Sequence, residues 1–459
     1  MEVKYLIIGA GPTGLGAGHR LQELGEESFL LLEKADHAGG LSSSYVDDNG
    51  FTWDVGGHVV FSHYEYFDKL VEDALGGQYL EHQRISQVRT CDTWVPYPFQ
   101  NNIRHLPENK IWQCVQGLLP EARPTTKPEN FGQWIDTVFG AGIGEIFMHP
   151  YNYKVWATKP ENMDYRWIGE RVSVIDLEKV LKNIILKQDD VAWGPNNTFR
   201  FPQKGGTGAI FESIAKGLGE HIRYNSEVVT IDPHRKTLTT KDGTVISYQF
   251  LLNTGPVDKL VTEQLTAAPH SIGIDQLKNA ASTLTHNGVH ISGVGLNSSE
   301  TEGIREDPTC WMYFPENNSP FYRVTNFHNY SPQNVAKPGK QIGFMCETSF
   351  SKEKQEDIPT ILEQTIQGLI NSSLMTENDK NLIATKWQMT VDYGYPVPCL
   401  QRDTALQTIL PELQKAQIYS RGRFGGWKYE VSNMDHSVMQ GVEWAELMHN
   451  GTLETTYTL

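Results

Sequence analysis

Residues 1–14 read MEVKYLIIGAGPTG, and the fold is decided there. The apolar run Tyr5-Leu6-Ile7-Ile8 leads straight into Gly9-Ala10-Gly11-Pro12-Thr13-Gly14. That order predicts a buried parallel strand, a glycine turn and the start of a helix, as a dinucleotide site requires. Gly9 suits the tight turn, Gly11 lets the backbone approach a pyrophosphate, and Gly14 lets the helix lie close on the sheet. Pro12 and Thr13 fall at the helix start, whose free N–H groups and positive dipole end favour phosphate. GxGxxG alone is a weak signal. Here a second apolar run, Phe29-Leu30-Leu31-Leu32, is closed by Glu33, placed to hold a ribose hydroxyl.

Outward from this unit comes a second glycine pair, in His37-Ala38-Gly39-Gly40-Leu41-Ser42. It suits FAD better than NAD, because the longer cofactor needs another close backbone approach; an ordinary glycine turn reads the same way. Residues 51–58, FTWDVGGH, read as a strand ending in Gly56, Gly57 and His58. Such a loop lets backbone crowd against a flat group and sets a titratable ring beside it. A histidine in that position is as often structural as catalytic.

A chain of 459 residues should hold two or three folding units. Its net charge of −16 speaks against nucleic acid and anionic membrane surfaces as partners. It leaves an anionic small substrate open, since charges are screened beyond about 8–10 Å. No segment has the apolar length of a membrane span, and the first apolar run is better used as a strand than as a leader. The five cysteines are widely spaced, with no CxxC pair, which argues for a reducing, cytoplasmic setting and against disulfides or a metal site.

The pattern along the chain predicts an α/β fold. Residues 1–98, 195–275 and 396–459 form a discontinuous, Rossmann-like FAD-binding domain. Residues 99–194 form an inserted helical substrate domain, with Leu177, Val180, Leu181, Ile184 and Ile185 at helical spacing and many aromatic residues. Residues 276–395, with runs such as Val289, Ile291, Val294 and Leu296, form an antiparallel β-sheet domain. A last helix, capped by Asp435 or Ser432, should end near Gly451.

Taken together, the segments GAGPTGLGA (9–17), DVGGHVVFSHYEYFD (54–68), WVPYPFQNNI (94–103), PYNYKVWA (150–157), GERV (169–172), WGPNNTFRFPQKGGTG (193–208), WMYFPENNSPFYR (311–323), GYPVP (394–398) and GRFGGWKYEVSNMDHS (422–437) resemble one family. It is the eukaryotic-type UDP-galactopyranose mutases, relatives of the flavin amine oxidases, and the resemblance covers almost the whole chain. It implies an isomerase that interconverts UDP-galactopyranose and UDP-galactofuranose without net oxidation, yet with reduced FAD. In that family flavin N5 displaces UDP at the anomeric carbon, giving a covalent adduct whose sugar opens and recloses. NADPH is the implied reductant.

The resemblance also implies roles. Arg171 and Arg323 match the diphosphate-binding arginines, with Tyr395 and Tyr429 as hydroxyl donors; bidentate guanidinium contacts suit a leaving group that must stay bound. Tyr97, Phe99, Gln100, Asn152 and Trp156 match the uracil pocket. Trp311 and Tyr313 match the substrate wall, Asn196 lies in the block that contacts the phosphate–sugar region, and His58 matches the loop beside the flavin. Phe61, Arg84, Arg423 and Asn433 match positions around flavin or sugar. Asp435 and Ser437 begin a helix whose positive end should face the flavin pyrimidine. Compared with fungal members, residues 331–346 and the tail after Gly451 are short, leaving the oligomeric state open. A mutase for another nucleotide sugar, an amine-oxidase-type oxidoreductase and a non-catalytic flavin sensor share this fold and stand as alternatives.

Overall fold

In the computed structural model the strand Glu2–Ile8 pairs in parallel with Phe29–Leu32 on one side and Val245–Asn253 on the other. The structure describes residues 1–169, 172–191, 194, 197–298 and 307–459. Tyr5, Leu6 and Ile7 are wholly buried, and both sheet faces are covered, so the run is continuously apolar rather than alternating. The seven-stranded sheet runs Val228–Asp232, Thr237–Thr240, Val245–Asn253, Glu2–Ile8, Phe29–Leu32, Ile222–Arg223, and Ile418–Ser420 also pairs with Val245–Asn253. Chain order reverses at Glu2–Ile8, so the glycine turn at its end opens onto a crevice.

Gly9 takes φ +99°, and a Cβ on Gly14 would collide with the Gly9 carbonyl. The turn therefore needs glycine at both ends. The first helix spans Pro12–Glu23 and is capped by Leu24, with Gly25 just beyond at φ +74°. The last helix, Met434–Asn450, crosses it so closely that a Cβ on Gly441 would strike the Thr13 carbonyl. Its N-cap is Asn433, not Asp435 or Ser432 as the sequence suggested. Asp435 lies inside the first turn, where its carboxylate is drawn to His63. Gly451 ends the helix at φ +82°, as expected.

The second sheet also has seven strands, in the order Ile383–Val397, Thr285–Asn297, Gln341–Phe350, Arg323–Asn326, Trp311–Tyr313, Ser86–Thr90, Thr93–Pro96. It departs from expectation in three ways. The hairpin at 86–96, placed by the sequence in the nucleotide unit, extends this sheet instead. It joins through a parallel pair, Ser86–Thr90 with Trp311–Tyr313, so the sheet is not purely antiparallel. An open strand edge finds the nearest partner regardless of chain distance. Nor does the central strand Thr285–Asn297 alternate, being buried from Asn287 through Leu296. One face shares a core with Trp53 and Ile291, the other with Val294, Ile366 and Leu369.

The helical region holds Glu108–Leu118, Phe131–Ile143, His149–Trp156 and Leu177–Leu186. Most of its rings are core, Phe131, Phe139, Phe147, Trp156 and Trp167 among them, but Trp112 is exposed. Among the described residues no helix is long and apolar enough to cross a membrane.

Candidate active site

A cavity of about 1150 Å³ runs from the glycine turn to the second sheet. It exceeds the roughly 300–1,000 Å³ of an ordinary small-molecule site, leaving room for a dinucleotide and a second ligand together. At the nucleotide end its wall contains Gly9, Gly11, Pro12, Thr13, Glu33, Gly40, Leu41 and Ser42. Gly56, Gly57, His58, Phe61, Arg423, Asn433 and Ser437 line it further on. Arg84, Tyr97, Trp311, Tyr313, Arg323, Tyr395 and Tyr429 complete the far wall.

The nucleotide end fits FAD. Glu33 Oε2 accepts from the Ala10 N–H at 2.8 Å and Oε1 from the Ala35 N–H at 2.9 Å, which fixes the carboxylate at the strand end. A carboxylate oxygen can accept more than one bond, so both can still take ribose hydroxyls. A Cβ on Gly11 would come no nearer to protein than 3.9 Å, because it would stand in the cavity. No side chain caps the first or the last helix, which keeps both positive ends available to an anion. Gly14 and Gly39 stand behind this wall; the Gly39 N–H donates to the Ala10 carbonyl at 2.9 Å and closes the two glycine loops on each other.

In the middle of the cavity, the Gly56–Gly57–His58 turn is braced by a carboxylate. Glu347 Oε1 accepts from the Gly57 N–H at 3.0 Å and from Arg323 Nε at 2.7 Å. Its Oε2 accepts from Arg323 Nη2 at 2.8 Å and from the Tyr322 hydroxyl at 2.7 Å. Burial opposes ionisation of Glu347, yet the Arg323 charge and these donors hold its carboxyl below the usual range. The Arg323 guanidinium also lies 5.5 Å from the Trp311 ring centre. Burial, reinforced by the Arg423 charge, pushes the His58 imidazole down to about 4, so the ring is neutral at ordinary pH. Its Nδ1 is buried and has no hydrogen-bond partner within the protein, as expected of an atom facing a ligand.

At the far end, Arg423 donates to the Gly394 carbonyl at 3.1 Å and lies 4.8 Å from the Tyr395 ring centre. Arg84 lies 5.5 Å from that of Tyr97. Burial raises the phenols of Tyr97, Tyr313 and Tyr395, which therefore remain hydrogen-bond donors.

The structure does not bring every candidate to the cavity. Phe99 is wholly buried, 4.8 Å from Phe147 ring to ring. Gln100 donates to the Ser173 carbonyl at 2.5 Å, and Asn152 to the Met148 carbonyl at 2.8 Å. Trp156 packs edge-on against Tyr429 at 4.9 Å and Trp167 at 5.1 Å. Rings that could stack on a base pack here against one another instead. Asp435 also stays off the cavity wall, turned towards His63. Arg171 and Asn196 lie outside the described residues. Sequence reasoning missed Glu347 and Tyr322. The clue to Glu347 was an isolated carboxylate inside the apolar run FMCETSF, where a charge demands a partner.

Fold and cavity together define a flavin-dependent α/β enzyme. The family model described as flavin containing amine oxidoreductase matches residues 12–291, and the chain belongs to that family. It is similar to a crystal structure of reduced UDP-galactopyranose mutase at 44% identity, covering 99% of this chain and 96% of that one, with a TM-score of 0.94. A putative protoporphyrinogen oxidase from an Exiguobacterium species shares the fold at 16% identity, with 97% and 98% of the two chains covered and a TM-score of 0.71. So does a cyclohexylamine oxidase from Brevibacterium oxydans, at 12% identity, 98% and 99% coverage and a TM-score of 0.63.

Proposed function

We propose that the protein is a UDP-galactopyranose mutase of the eukaryotic type, interconverting UDP-galactopyranose and UDP-galactofuranose with reduced FAD. The observation that carries this reading is the 44% identity to a reduced UDP-galactopyranose mutase over nearly the full length of both chains. The far wall of the cavity agrees chemically, since arginines and protonated phenols suit a nucleoside diphosphate better than an amine.

FAD, when bound and reduced, supplies a nucleophilic ring nitrogen. The chain's own residues do the placing. Glu33 would hold the cofactor ribose, and the last helix, which begins after Asn433, would offer its positive end to the flavin. Arg323, helped by Arg171, holds the diphosphate after exchanging a bond to Glu347 for a phosphate oxygen. Tyr395 and Tyr429 donate hydroxyls to the same oxygens. Trp311 and Tyr313 wall the sugar, and the neutral His58 orients it without giving up a proton. Uracil enters among Tyr97, Phe99, Gln100, Asn152 and Trp156, which requires these rings to part. NADPH is the proposed reductant, and five free cysteines accord with a cytoplasmic setting.

The test is chromatographic: incubate the holoenzyme with UDP-galactofuranose, with and without dithionite, and assay UDP-galactopyranose. Turnover in the reduced sample alone is the expected result. No turnover in either, with flavin bound and reducible, overturns the reading and directs attention to other nucleotide sugars, then amines. Rapid mixing with NADPH should bleach the flavin; an unchanged spectrum removes that reductant.

A further inference from the structure

Outside the cavity, two segments far apart in the chain bring together His63, Asp435 and His436. Asp435 is 1% exposed. Its Oδ2 accepts from the His63 backbone N–H at 3.2 Å and lies 2.7 Å from His63 Nδ1. Its Oδ1 lies 3.1 Å from His436 Nδ1. These last two atoms are both buried and close enough for an ion pair, but they lack hydrogen-bonding alignment, and neither has another partner. The two imidazole rings lie 5.0 Å apart, tilted by 48°.

We propose that His63, Asp435 and His436 bind a divalent transition-metal ion, zinc being the fitting one. One ligand atom from each residue lies within 4.8 Å of those from the other two. Zinc bonds of about 2.0–2.2 Å in tetrahedral array separate neighbouring ligand atoms by about 3.4 Å. The 3.1 Å between Asp435 Oδ1 and His436 Nδ1 is already close to that edge, and small ring rotations bring in His63. The donor set of two imidazoles and one carboxylate suits zinc and disfavours magnesium or calcium, which prefer oxygen alone. His63 has 29% of its side chain exposed, giving the ion a way in and leaving the fourth position to water. The positive end of the last helix opposes a cation at this spot, and the Asp435 charge answers it.

The ion would not touch the reacting atoms, since none of the three residues lines the cavity, but their neighbours Phe61 and Met434 do. Its role is a clamp that ties the loop carrying Phe61 to the start of the last helix. A zinc search by cysteine spacing passes over such a site, because its ligands are joined only by folding.

The experiment is a calorimetric titration of chelator-treated holoenzyme with zinc chloride, with metal content measured after dialysis. One zinc per chain is expected, accompanied by a rise in Tm, while magnesium gives neither. His63→Asn and His436→Asn should each weaken zinc binding at least about tenfold and abolish the rise in Tm, with flavin content intact. His63 is at the surface, so the first variant tests the site without threatening the fold. Absence of stoichiometric zinc in the wild type overturns the proposal. So does zinc binding that neither variant changes.

Discussion

At the nucleotide end the cavity wall is largely main chain, whereas at the far end it is side chains held by one another. Gly9, Gly11, Gly39 and Gly40 bring two loops together through backbone contacts, and a single carboxylate, Glu33, is pinned by two N–H groups. Across the cavity, Arg323 is bonded to Glu347, Arg423 lies against Tyr395, and Trp156 against Tyr429. Under the proposed function, that end exchanges protein contacts for ligand contacts. One end is preorganised, the other is held in reserve by its own interactions.

The sharpest way to break the rigid end is Gly14→Ala. The new Cβ would run into the Gly9 carbonyl, and neither the strand nor the crossing last helix leaves the first helix room to retreat. The strain should take a large share of the about 5–15 kcal/mol that stabilises an ordinary fold. Little or no soluble flavin-bound protein is expected, read from yield and the flavin-to-protein absorbance ratio. Normal flavin content would mean that this end is as adaptable as the other.

The matching attack on the far end is Arg323→Ala. Turnover should fall by roughly 10²–10³, as when one donor to a developing anion is removed, while flavin content is kept. Stability should also drop by about 3–5 kcal/mol, because Glu347 is left charged and buried without its partner. The double variant Arg323→Ala, Glu347→Ala should recover much of the stability and none of the turnover. Recovery of turnover in the double variant would remove the proposed phosphate role from Arg323.

The same contrast explains what could be read in the sequence. The glycine turn, Glu33 and the Gly56-Gly57-His58 loop were legible because a backbone-built site leaves its requirements in consecutive residues. The hairpin at 86–96 was not, because its pairing with Trp311–Tyr313 joins residues far apart and depends on which edge is open. Glu347 was overlooked because its function lies in contacts to Gly57, Tyr322 and Arg323, none of which its own neighbourhood announces. The aromatic segment at 150–157 was located, but the closed packing of Trp156 with Tyr429 and Trp167 is a property of three elements meeting.

His58 on the cavity wall and the buried Asp54 behind it in the chain offer a finer probe through pH. Burial drives His58 down to about 4 and Asp54 up to about 6, the latter opposed by bonds from Ser44 and Thr207. His58 has a folded value below its unfolded one, so its contribution is present above pH 6.5 and is lost as pH falls towards 4. Asp54 has a folded value above its unfolded one, so its contribution is present below pH 3.8 and is lost as pH rises through 6. Each is worth roughly 3 kcal/mol, and between pH 6 and 4 they oppose each other. Thermal melts of the holoenzyme should show His58→Gln gaining on the wild type as pH falls from 6 to 4, and Asp54→Asn losing ground. Parallel curves for wild type and His58→Gln would mean that the ring is solvated enough to titrate normally.

The smallest and most discriminating effect belongs to Glu347→Gln. The amide keeps the size of the side chain and one acceptor for Gly57 or Tyr322, but it no longer neutralises Arg323. If Arg323 is held back from the diphosphate by Glu347, freeing its charge should tighten the binding of UDP. The gain should be about tenfold, or about 1.4 kcal/mol, measured by calorimetry on the oxidised holoenzyme. Turnover should not rise with it, since a phosphate held more tightly before and after the reaction gives no advantage in between. UDP affinity unchanged in this variant, with Arg323→Ala equally indifferent to UDP, would assign Arg323 to bracing the Gly57 loop and leave the diphosphate to the other cations of the far wall. Tighter UDP with slower turnover would instead establish that the far end works by exchange, its ion pair setting how firmly the leaving group is kept.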